Sequence, residues 1–255
     1  MARQPDGPPP PPTVQKLRIR YAKRGRLRFA SHRDLARALE RALRRARVPM
    51  AFSAGFSPHP KISYLGAAPT GAASEAEYVE IGLSVRCDPE AVRAALDAAL
   101  PEDVAVLECV EAGEGTGSLA DRIDTSVWRV ELPGLDPDEL ARAVEAFLAA
   151  DVVTVAKRTK NGLKDIDARP SVTSASASAG VGCAILHMVV RQGTPAVRPD
   201  DVLAALAAVA DLHPPLPPRA VREAQGRLDD TGTVADPLDP DRTAGAPDQE
   251  AHATV

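Results

Sequence analysis

Aromatic residues are scarce in this chain, at 3% of 255 residues. Its cores must therefore be assembled from Ala, Val and Leu rather than from large rings. Cysteine is equally thin: Cys87, Cys109 and Cys183 lie far apart, with no Cys-x-x-Cys or mixed Cys/His spacing. That argues against a zinc site or an iron–sulfur cluster held by this chain alone, and scattered thiols in a reducing cytosol are the expectation. No apolar run approaches the ~20 residues needed to span a bilayer, and the start of the chain is proline-rich rather than signal-like. A cytoplasmic protein without a membrane anchor is expected. The abundance of Ala, Arg, Pro and Asp reads as a compositional background and carries no functional information.

What is present is a local concentration of positive charge. The whole chain carries a formal net charge of −4, yet residues 16–64 hold fourteen Lys or Arg against only Asp34 and Glu40. Such a segment in an otherwise acidic protein predicts a polyanionic partner, because Lys and Arg release counterions condensed on phosphates. RNA is the leading class. An acidic protein partner, or the chain's own tail, is the alternative claimant on the same charge.

Length gives room for one large domain or two small ones, two being the better fit. Residues 1–13 include five consecutive prolines, Pro8 to Pro12, and are expected to form an extended, disordered leader. Residues 226–255 are rich in Asp, Thr, Gly, Ala and Pro, and are expected to form a disordered acidic tail. Between them, Leu17, Ile19 and Tyr21 alternate with Arg18 and Arg20, and Gly25 then turns the chain into Leu27 and Phe29. This predicts strands or a hairpin with one buried and one basic face.

Ser31 occupies an N-cap position with Asp34 three residues on, and a helix is expected from there until Pro49. Its apolar side is Leu35, Leu39, Ala42, Leu43 and Ala46; Arg33, Arg37, Arg41 and Arg44 fall opposite as a stripe. A short strand at Met50 to Ser53, a strand at Tyr78 to Val85, a helix from Asp88-Pro89 through Leu100 and a strand at Val104 to Val110 complete a β-α-β-β-α-β order. A second round follows: strand Ser126 to Leu132, helix Asp136 to Ala150, strands Val152 to Lys157 and Gly182 to Val190, and helix Arg198 to Ala210. The expected fold class is α+β, with two ferredoxin-like units in tandem at 14–112 and 124–225.

The candidate site lies in the basic segment. Arg33, Arg37, Arg41, Arg44, Arg45, Lys61, Lys23 and Arg26 are the candidate nucleic-acid ligands. Ser31, His32, Asp34, Gly55, Phe56, Pro58, His59, Pro60, Glu77 and Tyr78 form a candidate motif pocket, toward which Lys61 and Glu75 are further candidates to converge. Phe56 reads either as a core plug or as a stacking platform. His32 and His59 are the candidate acid–base pair should the protein be catalytic. Lys157 to Pro170, around an Asn-Gly turn, is a second basic patch that either extends the surface or is a solvated hairpin tip. No metal site is expected.

The run Lys23-x-Gly25, Phe29-x-Ser31-His32-x-Asp34-Leu35-x-Arg37, Arg41-Ala42-x-Arg44-Arg45-Ala46, Pro49, Ser53-x-Gly55-Phe56-x-Pro58-His59-Pro60-Lys61-Ile62, Gly71, Ser74 and Glu77-Tyr78 closely resembles the bacterial radical-SAM-linked domain. Members occur fused to a radical SAM protein or as separate chains, and the family has no assigned reaction. The resemblance is specific over residues 17–83 and continues more weakly through 157–169 and 198–206. It implies a radical SAM partner that would carry the iron–sulfur cluster and SAM. This chain has no Cys-x-x-x-Cys-x-x-Cys to hold them.

Three functions follow as expectations. The first is a non-enzymatic accessory that binds and presents RNA beside a radical SAM protein. The second is a metal-independent RNA-processing enzyme using His32 and His59. The third is an accessory that binds an acidic protein partner.

Overall fold

The structure is a computed structural model that describes residues 10–159 and 162–245. It is a mixed α+β protein that divides into two compact units. One comprises the chain up to Thr70, Ala76–Arg122 and the chain from Pro237 onward; the other comprises Gly71–Glu75 and Ile123–Asp236. Among the described residues no helix is long and apolar enough to cross a membrane. Of the expected leader, residues 1–9 lie outside the described part, and Pro10–Thr13 have no regular secondary structure.

The first unit runs β1 (Gln15–Lys23), α1 (His32–Arg45), β2 (Ile62–Leu65), β3 (Ala73–Leu83, of which Ala73–Glu75 are counted with the other unit), α2 (Pro89–Ala99) and β4 (Val104–Glu111). Its strands lie in the order β4-β1-β3-β2, with β1 and β4 antiparallel and β2 and β3 antiparallel. Leu17, Ile19 and Tyr21 of β1, Val79, Ile81 and Leu83 of β3, Leu35, Leu39 and Leu43 of α1 and Leu96 of α2 form one buried cluster. The helix starts follow local chemistry. The Ser31 hydroxyl accepts from the Asp34 amide at 3.2 Å, and the Asp88 carboxylate accepts from the Glu90 and Ala91 amides, with Pro89 in the first turn.

The expected second arm of a hairpin after Gly25 is instead a 3-10 turn, Gly25–Phe29. Gly25 has φ +48°, and a Cβ there would sit 2.2 Å from the Asp103 carboxylate. That carboxylate accepts from the Arg26 amide at 2.9 Å, which holds the chain in a tight turn rather than an extended return. Met50 to Ser53 forms isolated bridges, Met50 to Leu83 and Phe52 to Pro60, in place of a strand. The strand at that place in the order is β2.

The second unit contains β5 (Thr125–Pro133), α3 (Pro137–Ala149), β6 (Thr154–Thr159), β7 (Gly162–Asp167), β8 (Val172–Gly180), β9 (Cys183–Arg191), α4 (Pro199–Ala210), β10 (Arg219–Leu228) and β11 (Val234–Ala235). The order is β10-β5-β9-β8, antiparallel throughout. β11 pairs with the end of β10, and Ala73 and Ser74 pair in parallel with Val221 and Arg222. β6 and β7 form a separate hairpin. Trp128, Leu132, Leu140, Phe147, Leu186, Met188 and Leu206 are buried. Asp136 caps α3, accepting from the Asp138 amide at 2.7 Å.

The segment expected to be disordered is ordered over residues 226–245, and residues 246–255 lie outside the described part. Gly226–Leu228 end β10, and α5 (Asp239–Gly245) belongs to the first unit. The anchor is Asp241, whose side chain has no exposed surface. It accepts from Arg18 Nη1 at 2.7 Å, Arg122 Nη1 at 2.7 Å, Thr116 Oγ1 at 2.9 Å and the Gly113 amide at 3.0 Å. Leu238 beside it is fully buried. Composition describes the average of this tail and misses the one carboxylate that two arginines need.

Burial works against the charge on Asp241, but the hydrogen bonds from Arg122 and Arg18 outweigh it, and its pKa is lowered to about 2. A folded pKa below the unfolded one gives stability that is fully present above about pH 4 and lost as pH falls through about 2, on the order of 2 kcal/mol. Asp241→Asn should therefore lower the midpoint of thermal unfolding at pH 7. The gap from the parent chain should close as both are taken toward pH 2. A gap that is absent at pH 7, or that widens on acidification, would show that α5 is not held this way.

Candidate nucleic-acid interface

The two halves of the basic segment meet different fates. On β1, Arg18 is 3% exposed; its Nε donates to Glu80 at 2.9 Å and its Nη1 to Asp241. Lys16 also pairs with Glu80, at 3.0 Å. Arg20 lies 3.7 Å from Glu108, and Glu108 is further engaged by Arg242. The expected basic face of β1 is thus largely compensated by carboxylates from β3, β4 and α5. Lys23 is 2% exposed, with its ammonium 3.4 Å from the carbonyls of Ala68 and Pro69. It is an internal residue of this unit rather than a surface cation.

α1 is the opposite case. Leu35, Leu39, Ala42 and Leu43 are buried, while Arg33, Arg37, Arg41, Arg44, Arg45 and Arg47 are exposed. Arg44 faces Glu40 one turn back, at 3.6 Å, and Arg45 donates to the Ala99 carbonyl at the end of α2. Arg33, Arg37 and Arg41 have no ion-pair partner among the described residues. Asp34, the one acid in the first turn, has its pKa lowered by the Ser31 hydroxyl and then by Arg37 and Arg33. It serves the helix cap and forms no close ion pair with the stripe. Arg26 is exposed beside this helix in sequence, and Arg28 lies over the Phe29 ring, 4.7 Å from its centroid.

Beside α1 the 51–61 segment doubles back on itself. The Ser53 amide donates to the His59 carbonyl and the Lys61 amide to the Ala51 carbonyl, both at 2.8 Å. The Ser53 hydroxyl accepts from the His59 amide at 3.1 Å. Gly55 at the tip has φ +130°, a backbone that favours glycine. Phe56 is 71% exposed and Phe52 41%, so Phe56 is no core plug. Between this loop and α1 lies a cavity of about 270 Å³, lined by Glu40, Leu43, Arg44, Phe52 and His59 among others.

Pro58 and Pro60 of the expected motif pocket line that cavity as well, whereas Glu77, Tyr78, Glu75 and Lys61 lie elsewhere. Glu77 and Tyr78 are 1% and 2% exposed, and Glu77 accepts from the Ala68 amide at 3.2 Å. Glu75 falls in the second unit. Lys61 donates to the Thr13 hydroxyl at 2.8 Å and lines a separate cavity of about 360 Å³ with Lys16 and Glu80. His32 lies at the start of α1 with its ring edge-on to Tyr64, centroids 5.2 Å apart. Burial pushes the Tyr64 hydroxyl pKa upward, helped by Glu40. His59 lines a cavity against Glu40 and Arg44, eight to twelve residues along the helix from His32. At 1.5 Å per residue that is an axial separation of about 12–18 Å between His32 and the two helix residues with which His59 shares the cavity.

The second basic patch is also partly structural. Lys157 pairs with Asp201, and Arg169 donates to the carbonyls of Val172 and Leu148. Arg158 and Lys164 are exposed, while Lys160 and Asn161 lie outside the described residues. Among the described residues no group of His, Cys, Asp or Glu could hold a metal ion. Sequence reasoning missed Phe52, Met50 and Glu40 as neighbours of the loop. The spacing of Glu40 and Arg44, four apart on the helix that carries the stripe, was the available signal.

Phe56→Ala should change stability by less than about 0.5 kcal/mol, as at any exposed site. Leu39→Ala, on the buried side of α1, should lose about 2–5 kcal/mol. Chemical denaturation of the two variants checks this, and comparable losses would return Phe56 to the core.

Residues 16–199 match the profile of a family described as uncharacterised proteins conserved in bacteria, DUF2344. The match carries no statement about radical SAM proteins. No curated protein matches the chain.

Proposed function

The chain belongs to the bacterial family DUF2344, and we propose that it is an accessory protein that binds RNA along α1 and presents it to a partner enzyme. One observation carries the reading: Arg33, Arg37 and Arg41 stand exposed on one helix without carboxylate partners, while the arginines of β1 are compensated. Charges left unpaired on a rigid helix are available to phosphates at no cost in broken ion pairs. The exposed rings of Phe52 and His59, at the cavity they share with Glu40 and Arg44 of the same helix, and of Phe56 on the same loop suit unstacked bases, the form in which RNA is read by sequence.

The resemblance to the radical-SAM-linked domain supports a radical SAM protein as the partner, carrying the cluster and SAM, in a cytoplasmic setting. The strand orders β4-β1-β3-β2 and β10-β5-β9-β8 support reading each unit as a ferredoxin-like βαββαβ fold, the second with the β6–β7 hairpin inserted after α3. The catalytic alternative would need His32 and His59 at one phosphodiester, whereas His32 packs on Tyr64 and His59 lines the cavity with Glu40 and Arg44 farther along α1. An acidic protein partner would use the same arginines.

Crosslinking in cells followed by sequencing of the bound RNA tests the proposal, with Arg33/Arg37/Arg41→Ala as the control. Enrichment at defined RNA sites, at least several-fold weaker in the variant, is the expected result. Recovery of no RNA above background, together with capture of an acidic protein that the variant loses, would transfer the arginine face to the protein-partner reading.

A further inference from the structure

We infer that the cavity of about 270 Å³ between α1 and the 51–61 loop seats one extruded guanine base of the bound RNA; this rests on the RNA-binding reading and specifies its substrate. Its size lies just below the roughly 300–1,000 Å³ of pockets that take whole drug-sized ligands, which suits one base rather than a nucleotide chain. Apolar side chains make up part of its lining: Leu43 is 2% exposed, and Met50 and Ile62 are half-buried. Phe52, 41% exposed although aromatic, is an aromatic residue of the same lining. An unstacked base loses its neighbours on both faces, and an apolar slot with an aromatic wall restores them.

The polar groups at the cavity choose among the bases. Glu40 and Arg44 stand side by side, 3.6 Å apart, so a two-oxygen acceptor lies next to a guanidinium donor. Guanine alone presents two adjacent donors, N1–H and the N2 amino group, followed by an acceptor, O6. Adenine and cytosine offer one amino donor beside a ring acceptor, and uracil one imino donor between two acceptors. The carboxylate thus meets two donors only in guanine, with Arg44 reaching O6. Arg41, three residues from Arg44, continues the row of cations on which the flanking phosphates would lie.

The experiment uses the full chain and fluorescein-labelled seven-residue oligouridylates whose central nucleotide is guanine, adenine, cytosine, inosine or abasic, read by fluorescence anisotropy over a salt series. The guanine oligomer is expected to bind roughly tenfold tighter than the adenine or cytosine one, and inosine, lacking the N2 amino group, should lose most of that gain. Glu40→Gln should remove the preference while leaving the salt dependence unchanged, and Phe52→Ala should weaken every base-containing oligomer toward the abasic one. Should Phe52→Ala not fold, as judged by its melt, Glu40→Gln carries the test. Equal affinities with normal salt dependence would overturn the guanine site while leaving RNA binding intact. A preference for another base, or one that survives Glu40→Gln, would overturn the guanine assignment. Failure of all oligomers to bind at low salt would overturn the RNA reading and this inference with it.

Discussion

The buried ion cluster around Arg18 decides where this protein's positive charge can act. A guanidinium that is 3% exposed has given up most of its water, and it persists only with excellent geometry and satisfied hydrogen bonds. Glu80 from β3 and Asp241 from α5 supply both, and Arg122 donates to the same Asp241 carboxylate. Through this contact α5 is tied into the first unit, and part of the charge of β1 is withdrawn from any external ligand.

What is withdrawn from β1 leaves α1 as the basic surface. The same packing that buries Leu35, Leu39 and Leu43 necessarily turns Arg37, Arg41 and Arg44 outward, because an amphipathic helix cannot bury one stripe without presenting the other. Glu40 is the only acid on the helix after the first turn, and it faces Arg44 and the loop cavity. The uncompensated arginines and the exposed aromatic rings therefore belong to adjoining pieces of the same unit. The loop that carries Phe56 and His59 is held by its own backbone hydrogen bonds and does not draw those rings into the core.

Local signals were legible in the sequence. Ser31 caps α1 as its position predicts, the helical period sorts leucines from arginines correctly, and the proline-containing starts of α2, α3 and α4 fall where their first turns lie. The illegible parts are long-range or chemically faint. Glu80 is 62 residues from Arg18 and Asp241 is 223, so no window of sequence reveals that the basic alternation of β1 is compensated. Residues 226–245 are ordered against their composition because one buried carboxylate outweighs a makeup that otherwise resembles disorder. β8 escaped notice because its Ser/Ala alternation has the period of a strand without the bulky side chains that announce one. Glu77 and Tyr78 follow the same logic: adjacent in sequence to the basic segment, they are buried within β3 rather than turned to the loop.

The most direct test of the division between compensated and uncompensated cations is the salt dependence of RNA affinity, measured for the parent chain, for Arg37/Arg41→Ala and for Lys16/Arg20→Ala. Each phosphate of a single strand that a variant no longer neutralises reduces the slope of log K against log salt by about 0.7. The account predicts a slope lower by about 1.4 for the α1 variant, which removes two such cations, and an unchanged slope for the β1 variant. Equal reductions in both, or a reduction only in the β1 variant, would contradict it.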